Sequence, residues 1–468
     1  MTTDNRAGDD RARLAQIERE ILARRPEHAI DPTLDRIGAL VTLLGDPQRA
    51  YPVIHITGTN GKTSTARMIE SLLRARGLRT GLFTSPHLAM VGERICVDGQ
   101  PLSGERFVEA YDEIKPYVDL VDDTHDTRLS FFEVLVGMAF AVFADAPVDV
   151  CVLEVGMGGT WDNTNVADGA VAVVTPISID HARYLGGTVE EIAADKSGII
   201  KPGAVAVLAQ QPPAAAEVLL RRVAEVEARV AREGLEFGVL SRELAVGGQQ
   251  VTVRGLLGDY PDIFLPLFGE HQAGNLACAI AAVEAFASVP GADDQPGDAL
   301  DPVIVRQAAA GMTSPGRLEI VRRGPLVILD AAHNPGGMAA SVAALTEAFS
   351  FTELIAIVAI SEDKDVTAIL EELEPIATRL VVTANSSVRS MNPAVLAEVA
   401  TAIFGPDRVE VAARLDDAIE IAVAHADEAD AAVGGGPVSA GVLITGSVIT
   451  AGDARVLLGV GEVPGERS

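Results

Sequence analysis

The segment that most constrains the fold of this chain is a short apolar run, Val53-Ile54-His55-Ile56. It breaks into a turn over 57–61 and then into a stretch at helical spacing, 62–76, free of interior Gly and Pro. Strand, glycine loop and helix in that order are the setting a phosphate-binding loop requires. Glycines let backbone N–H groups close around phosphates, and the amino terminus of the helix adds positive potential. Lys62 brings a point charge to the β- and γ-phosphates, and the hydroxyl of Thr63 or Ser64 can reach Mg²⁺. Thr59, Asn60, Gly61, Lys62, Thr63 and Ser64 are therefore the expected nucleotide contacts. The general pattern wants its first glycine where Ile56 stands and its second at Gly61, so the loop reads as a P-loop variant.

The surrounding pattern suits such a loop. β-rich runs at 52–57, 80–84, 149–155 and 170–175 alternate with helical patterns and give way to small or polar residues, as in a mostly parallel α/β sheet with functional loops at the strand ends. The stretch 213–251, helical and then strand-like, is expected to decorate the same unit. A second series of runs at 326–329, 354–359, 380–383, 409–412 and 442–445 follows the Gly, Asp and Pro cluster at 290–302. The expected fold class is thus α/β: a P-loop ATPase domain over 1–298 and a smaller Rossmann-like domain over 299–468, with the cluster as hinge. A chain of 468 residues with 48% hydrophobic content can bury cores of that size.

Charge excludes some partners. Against 37 Lys and Arg stand 66 Asp and Glu, a formal net charge of −29, so neither nucleic acid nor an anionic membrane is expected, and any anion site must be local. Cys96, Cys151 and Cys278 lack paired spacing and read as buried thiols in a reducing compartment. The polar segment 1–13 reads as a frayed tail rather than a targeting signal. No run reaches the roughly 18 apolar residues of a spanning helix, and 134–144 reads as a core helix. A cytoplasmic monomer acting on small molecules is the expectation.

Beyond the loop Thr57-Gly58-Thr59-Asn60-Gly61-Lys62-Thr63, an ordered set of motifs covers about residues 30–455. These are Thr84-Ser85-Pro86-His87-Leu88, Glu154-Val155-Gly156-Met157-Gly158-Gly159, Asp180-His181, Asp195-Lys196-Ser197-Gly198-Ile199, His271-Gln272-Ala273-Gly274-Asn275, Pro315-Gly316-Arg317-Leu318-Glu319, Asp330-Ala331-Ala332-His333-Asn334-Pro335 and Asp363-Lys364-Asp365. In order and spacing they resemble the Mur ligase superfamily, and within it the folylpolyglutamate synthases and dihydrofolate synthases. The chain departs from that pattern at Thr63, Ala331 and Ala359, where the family often has Gly; no charged or ligating group is lost.

The resemblance implies an ATP-dependent amide ligase that adds L-glutamate to dihydropteroate, to the γ-carboxylate of a reduced folate, or to both, through an acyl phosphate. It implies ATP with two Mg²⁺, K⁺ being an optional further ion. Ser85, Glu154 and His181 are its metal ligands; Glu154 also ends a largely apolar strand, where packing alone explains a carboxylate poorly. Lys196 is implied to be carbamylated, which turns a cation beside a metal into a carboxylate. Asn275, Arg317 and Asp330 are implied to contact ATP, with Arg317 reaching the γ-phosphate. His333 and Ser447 are implied near the incoming glutamate. Lys62, Lys196, Arg317 and His333 form the expected catalytic group. For the pterin, the resemblance points to Ile30, Asp31, Pro32 and Thr33, to Ser130, Phe131, Phe132 and Glu133, and to Trp161, Asp162 and Asn163, segments able to offer flat apolar faces and oriented hydrogen bonds. Rival readings are a monofunctional folylpolyglutamate synthase, a cell-wall Mur ligase, for whose extra amino-terminal domain a P-loop at residue 57 leaves no room, and a nucleotide-dependent switch.

Overall fold

Three sheets organise the chain in a computed structural model that describes residues 3–26, 29–289, 299–432 and 439–460. The first has eight strands, β1 (Val53–Thr57), β2 (Thr80–Phe83), β3 (Ile95–Val97), β4 (Gln100–Pro101), β5 (Val150–Glu154), β6 (Gly169–Val174), β7 (Val205–Leu208) and β8 (Arg229–Arg232), in the order β4-β3-β2-β5-β1-β6-β7-β8. From β2 to β8 all neighbours are parallel, while β3 and β4 join antiparallel at one edge. Every residue of β1, β2 and β5 is buried, which is why they read as continuous apolar runs. Helices Lys62–Ala75 and Glu270–Ala287 share a core on one face; the apolar helix Phe131–Asp145 fills the other.

The region expected only to decorate this unit builds a sheet of its own, β9 (Gly238–Ala245), β10 (Gly248–Arg254) and β11 (Asp259–Leu265), antiparallel throughout. Val251, Val253, Tyr260, Ile263 and Leu265 join it to the first core. The third sheet comprises β12 (Glu319–Arg323), β13 (Leu326–Leu329), β14 (Phe351–Val358), β15 (Arg379–Val382), β16 (Val409–Val411) and β17 (Ser439–Thr445), in the order β12-β13-β17-β14-β15-β16. Only β12 is antiparallel to its neighbour.

Two expectations shift. The segment read as a frayed tail enters a helix, Thr3–Leu22, whose later residues Ile17 and Ile21 are fully buried in a core with Phe107, Tyr111 and Ile114 of helix Gly104–Thr124. The boundary at 298/299 also moves. Helix Pro302–Ala310 packs on helix Lys62–Ala75 and on β11, because Val305, Ala308 and Ala309 present one apolar stripe to the first core. The chain therefore crosses to the third sheet after Met312, which is still in that core. Of the expected hinge, 290–298 lie outside the described residues.

Candidate active site

Four neighbouring parallel strands deliver the site at their carboxyl ends. After β1 comes the phosphate loop, after β2 Ser85, at the end of β5 Glu154, and after β6 the segment to His181. That is where open α/β sheets place ligands. Ile56, the position of the missing glycine, is fully buried inside β1, so the loop begins only at Gly58. Gly58 and Gly61 both have positive φ, 145° and 88°. A Cβ on Gly58 would overlap Thr175 Oγ1, and one on Gly61 would sit 2.6 Å from Asn275 Oδ1. The loop is braced on the segment that follows β6: Thr59 N donates to Pro176 O (3.0 Å) and Thr59 Oγ1 to Ser178 O (2.9 Å).

Two ammonium groups converge on one carbonyl. Lys62 Nζ donates to Gly58 O (3.1 Å) and Thr59 O (3.2 Å), and Lys196 Nζ reaches the same Gly58 O at 2.9 Å. Burial lowers the pKa of both; for Lys196, at 4% exposure and with Lys62 adding repulsion, it falls to about 7. An amine half unprotonated near pH 7 has a lone pair that can add to CO₂.

Glu154 is 1% exposed and accepts from Thr63 Oγ1 (2.8 Å) and from the backbone N–H of Ser85 (3.3 Å). Burial raises its pKa, opposed by Lys62. Ser85, Glu154, His181 and Thr63 face one cavity of about 1160 Å³, which also takes in Thr59 to Ser64, Asn275, Arg317 and Asp330. His181 sits at φ 52°, in the left-handed region, a conformation that surrounding structure must hold for a non-glycine residue. Burial pushes its pKa down to about 3 against the pull of Asp180, keeping the imidazole neutral with a lone pair to offer. Hydroxyl, carboxylate and neutral imidazole can hold a hard divalent cation, and such a cation would relieve the buried charge of Glu154. Asp330 accepts from Leu318 N, Ala332 N and Ser341 Oγ, so its carboxylate also folds the loop around it.

A second cavity adjoins the first. Ile30, Asp31, Ser130, Phe132, Glu133, Trp161, Asp162 and Asn163 line it, as do His333 and Ser447 from the other unit. Pro32 and Thr33 line neither cavity. Phe131 is a core residue, 5% exposed, with the Arg94 guanidinium 5.0 Å above its ring. The cavities share a seam of Ser85, Pro86, Gly156, His181, His333 and Val448.

Asp180, quoted in a motif without a role, clasps the two units beside that seam. It accepts from Lys364 Nζ (2.6 Å) and Asn334 Nδ2 (3.1 Å), with His333 Nε2 at 3.6 Å. Asn334 Nδ2 also reaches Asn60 Oδ1 (3.1 Å), and Ser64 Oγ bonds Ser314 Oγ (2.9 Å). Burial would raise the Asp180 carboxyl, but His333, His181 and Lys364 hold it far below the carboxylate range. Arg25, which pairs with Asp31 and Glu133 at the second cavity, carried no signal in the sequence.

Known proteins place the whole assembly. Residues 56–283 match the Mur ligase middle domain, and 316–437 the Mur ligase glutamate ligase domain. The dihydrofolate synthase/folylpolyglutamate synthase of Mycobacterium tuberculosis is 50% identical, the match covering 96% of this chain and 95% of that one. A structure of the Mycobacterium tuberculosis folylpolyglutamate synthase complexed with ADP superposes with a TM-score of 0.91 at 49% identity, over 97% of this chain and all of that one (100%). An FPGS–AMPPCP–folate complex superposes at 0.78 with 30% identity, over 95% and 99% of the two chains.

Proposed function

The chain belongs to the dihydrofolate synthase/folylpolyglutamate synthase family of Mur ligases, and on that premise we propose that it is an ATP-dependent ligase joining L-glutamate to a pterin-bearing carboxylate. The observation that carries this reading is the seam: a phosphate-loop cavity and a second cavity with apolar and polar walls open onto the same six residues. A phosphate at the loop can there meet a carboxylate from the other side.

A carboxylate does not condense with an amine in neutral water, so ATP first transfers its γ-phosphoryl to it, giving an acyl phosphate and ADP. The glutamate amine then attacks the acyl carbon, and inorganic phosphate leaves. Lys62 turns from its carbonyl partners to the phosphates, Arg317 meets the charge spread over the γ-phosphoryl oxygens, and the clasp at Asp180 closes the site to water. Ser85, Glu154 and His181 would hold Mg²⁺, whose positive charge would offset that of the phosphates. Lys196 is carbamylated in the working enzyme: its amine adds to CO₂ and loses one proton, leaving a carboxylate for a second Mg²⁺. Asn275 and Asp330 hold the nucleotide, and His333 and Ser447 the incoming glutamate.

The acceptor is dihydropteroate and reduced folate alike, making the enzyme bifunctional, as the name of the Mycobacterium tuberculosis relative states for that protein. The protein acts as a cytoplasmic monomer, and replacing K⁺ by Na⁺ at constant ionic strength reads any need for potassium. The decisive assay supplies ATP and glutamate with dihydropteroate or tetrahydrofolate and weighs the product. A mass gain of one glutamyl residue is expected with each; phosphate release that ignores glutamate under both acceptors would sink the reading.

A further inference from the structure

An acceptor that already carries glutamate differs from dihydropteroate by one anion. When the γ-carboxylate of a folate lies at the seam for phosphorylation, its α-carboxylate remains inside the acceptor cavity and needs a cation there. Dihydropteroate, which presents its benzoyl carboxylate to the same seam, has no such group.

Three long cations line this cavity, Arg25, Lys364 and Arg389. Arg25 is engaged by Asp31 (2.9 Å) and Glu133 (3.5 Å), and Lys364 by Asp180 (2.6 Å). Arg389 differs. Among the described residues its only side-chain partner is Asp363 at 3.4 Å, with both side chains partly in solvent, 35% and 46% exposed. A pair of that kind holds weakly, which leaves guanidinium donors for a carboxylate. The backbone beneath it is nonetheless fixed: Arg389 N donates to Ser387 Oγ (3.2 Å), Glu362 N to Arg389 O (3.0 Å), Ser386 N to Asp453 (2.7 Å) and Asn385 Nδ2 to Thr450 Oγ1 (2.9 Å). Arg389 lines the acceptor cavity and not the nucleotide cavity, unlike the seam residues, which line both.

We propose that Arg389 is a specificity residue that receives the α-carboxylate of a glutamate already present on the acceptor, and so separates chain extension from first glutamate addition. The inference rests on the folate-ligase reading above. At saturating ATP, Arg389→Ala should raise the KM for tetrahydrofolate about tenfold or more, the loss expected of one charge-assisted hydrogen bond. The KM values for dihydropteroate and for free glutamate should stay within about twofold, since neither uses the contact. Arg389→Lys, which keeps the charge without the fork, should recover part of the loss. Where dihydropteroate is not turned over, its inhibition constant against tetrahydrofolate takes the place of its KM. An unchanged tetrahydrofolate KM overturns the proposal, as does an equal rise for dihydropteroate. A rise confined to glutamate also overturns it, assigning Arg389 to the incoming amino acid. Wild-type protein that ligates neither acceptor overturns the ligase reading beneath it instead.

Discussion

Lys196 couples stability to pH in a direction opposite to most ion-paired lysines. Its folded pKa lies at about 7 against an ordinary 10.5, so between those values the unfolded chain binds more protons and folding stability rises with pH; below about 7 the penalty is constant. Lys196→Met removes this titration. Chemical denaturation at pH 7 and pH 9 in CO₂-free buffer, where the amine is unmodified, should show the wild type gaining stability and the variant gaining less, while in bicarbonate the variant's ligase turnover falls about a hundredfold or more. Glu154 runs the other way. Its pKa is raised by burial, so it costs stability once pH rises through the folded value, and metal-free Glu154→Gln should melt above the wild type at neutral pH. The same variant should lose the stabilisation by Mg²⁺ and ATP, read by melts with and without them. Glu154 was legible in the sequence because a carboxylate ending an apolar strand has few packing explanations. Arg25 and Asp180 were not, since their partners lie on other segments: Asp180 and Lys364 are 184 positions apart.

At the scale of elements, the phosphate loop ties sequence to chemistry most directly. Gly58→Ala would drive a Cβ into Thr175 at a φ of 145°, so the loop must shift; a loss of about 1–3 kcal/mol in stability is expected. Nucleotide affinity should fall with it, measured by calorimetry, and unaltered ADP binding would show the loop to be more pliant than its bracing implies. Most of the parallel strands read from the sequence fall within a residue or two of their bounds because burial on both faces makes them uniformly apolar, whereas β14 and β17 begin three residues before the expected runs and β7 and β8 were not read at all. Edge strand β12 was invisible, its Glu319, Arg322 and Arg323 being polar and its burial partial. The first helix was missed for a related reason: its apolar stripe lies at Leu14, Ile17 and Ile21, beyond the polar segment that gave the tail its character.

For the whole molecule, the contacts that matter join the units, and no periodicity in one strand or helix encodes them. The motifs carrying Asp180, Asn334 and Lys364 were read one by one; only the fold shows that they meet. Asp180→Ala should open the clasp, lowering glutamate-dependent turnover about tenfold or more and enlarging the radius of gyration in solution scattering. Lys364→Met in that background should add little, because both act on the same contact. The seam between the cavities has a consequence for ligand design. Since six residues border both chambers, a nucleotide and a pterin could be joined by a bridge roughly one phosphoryl group long, each half holding the other at an effective concentration of roughly millimolar or above. Such a tethered compound would meet the protein in the arrangement it adopts midway through the reaction, and would gain its affinity from geometry the separate halves cannot use.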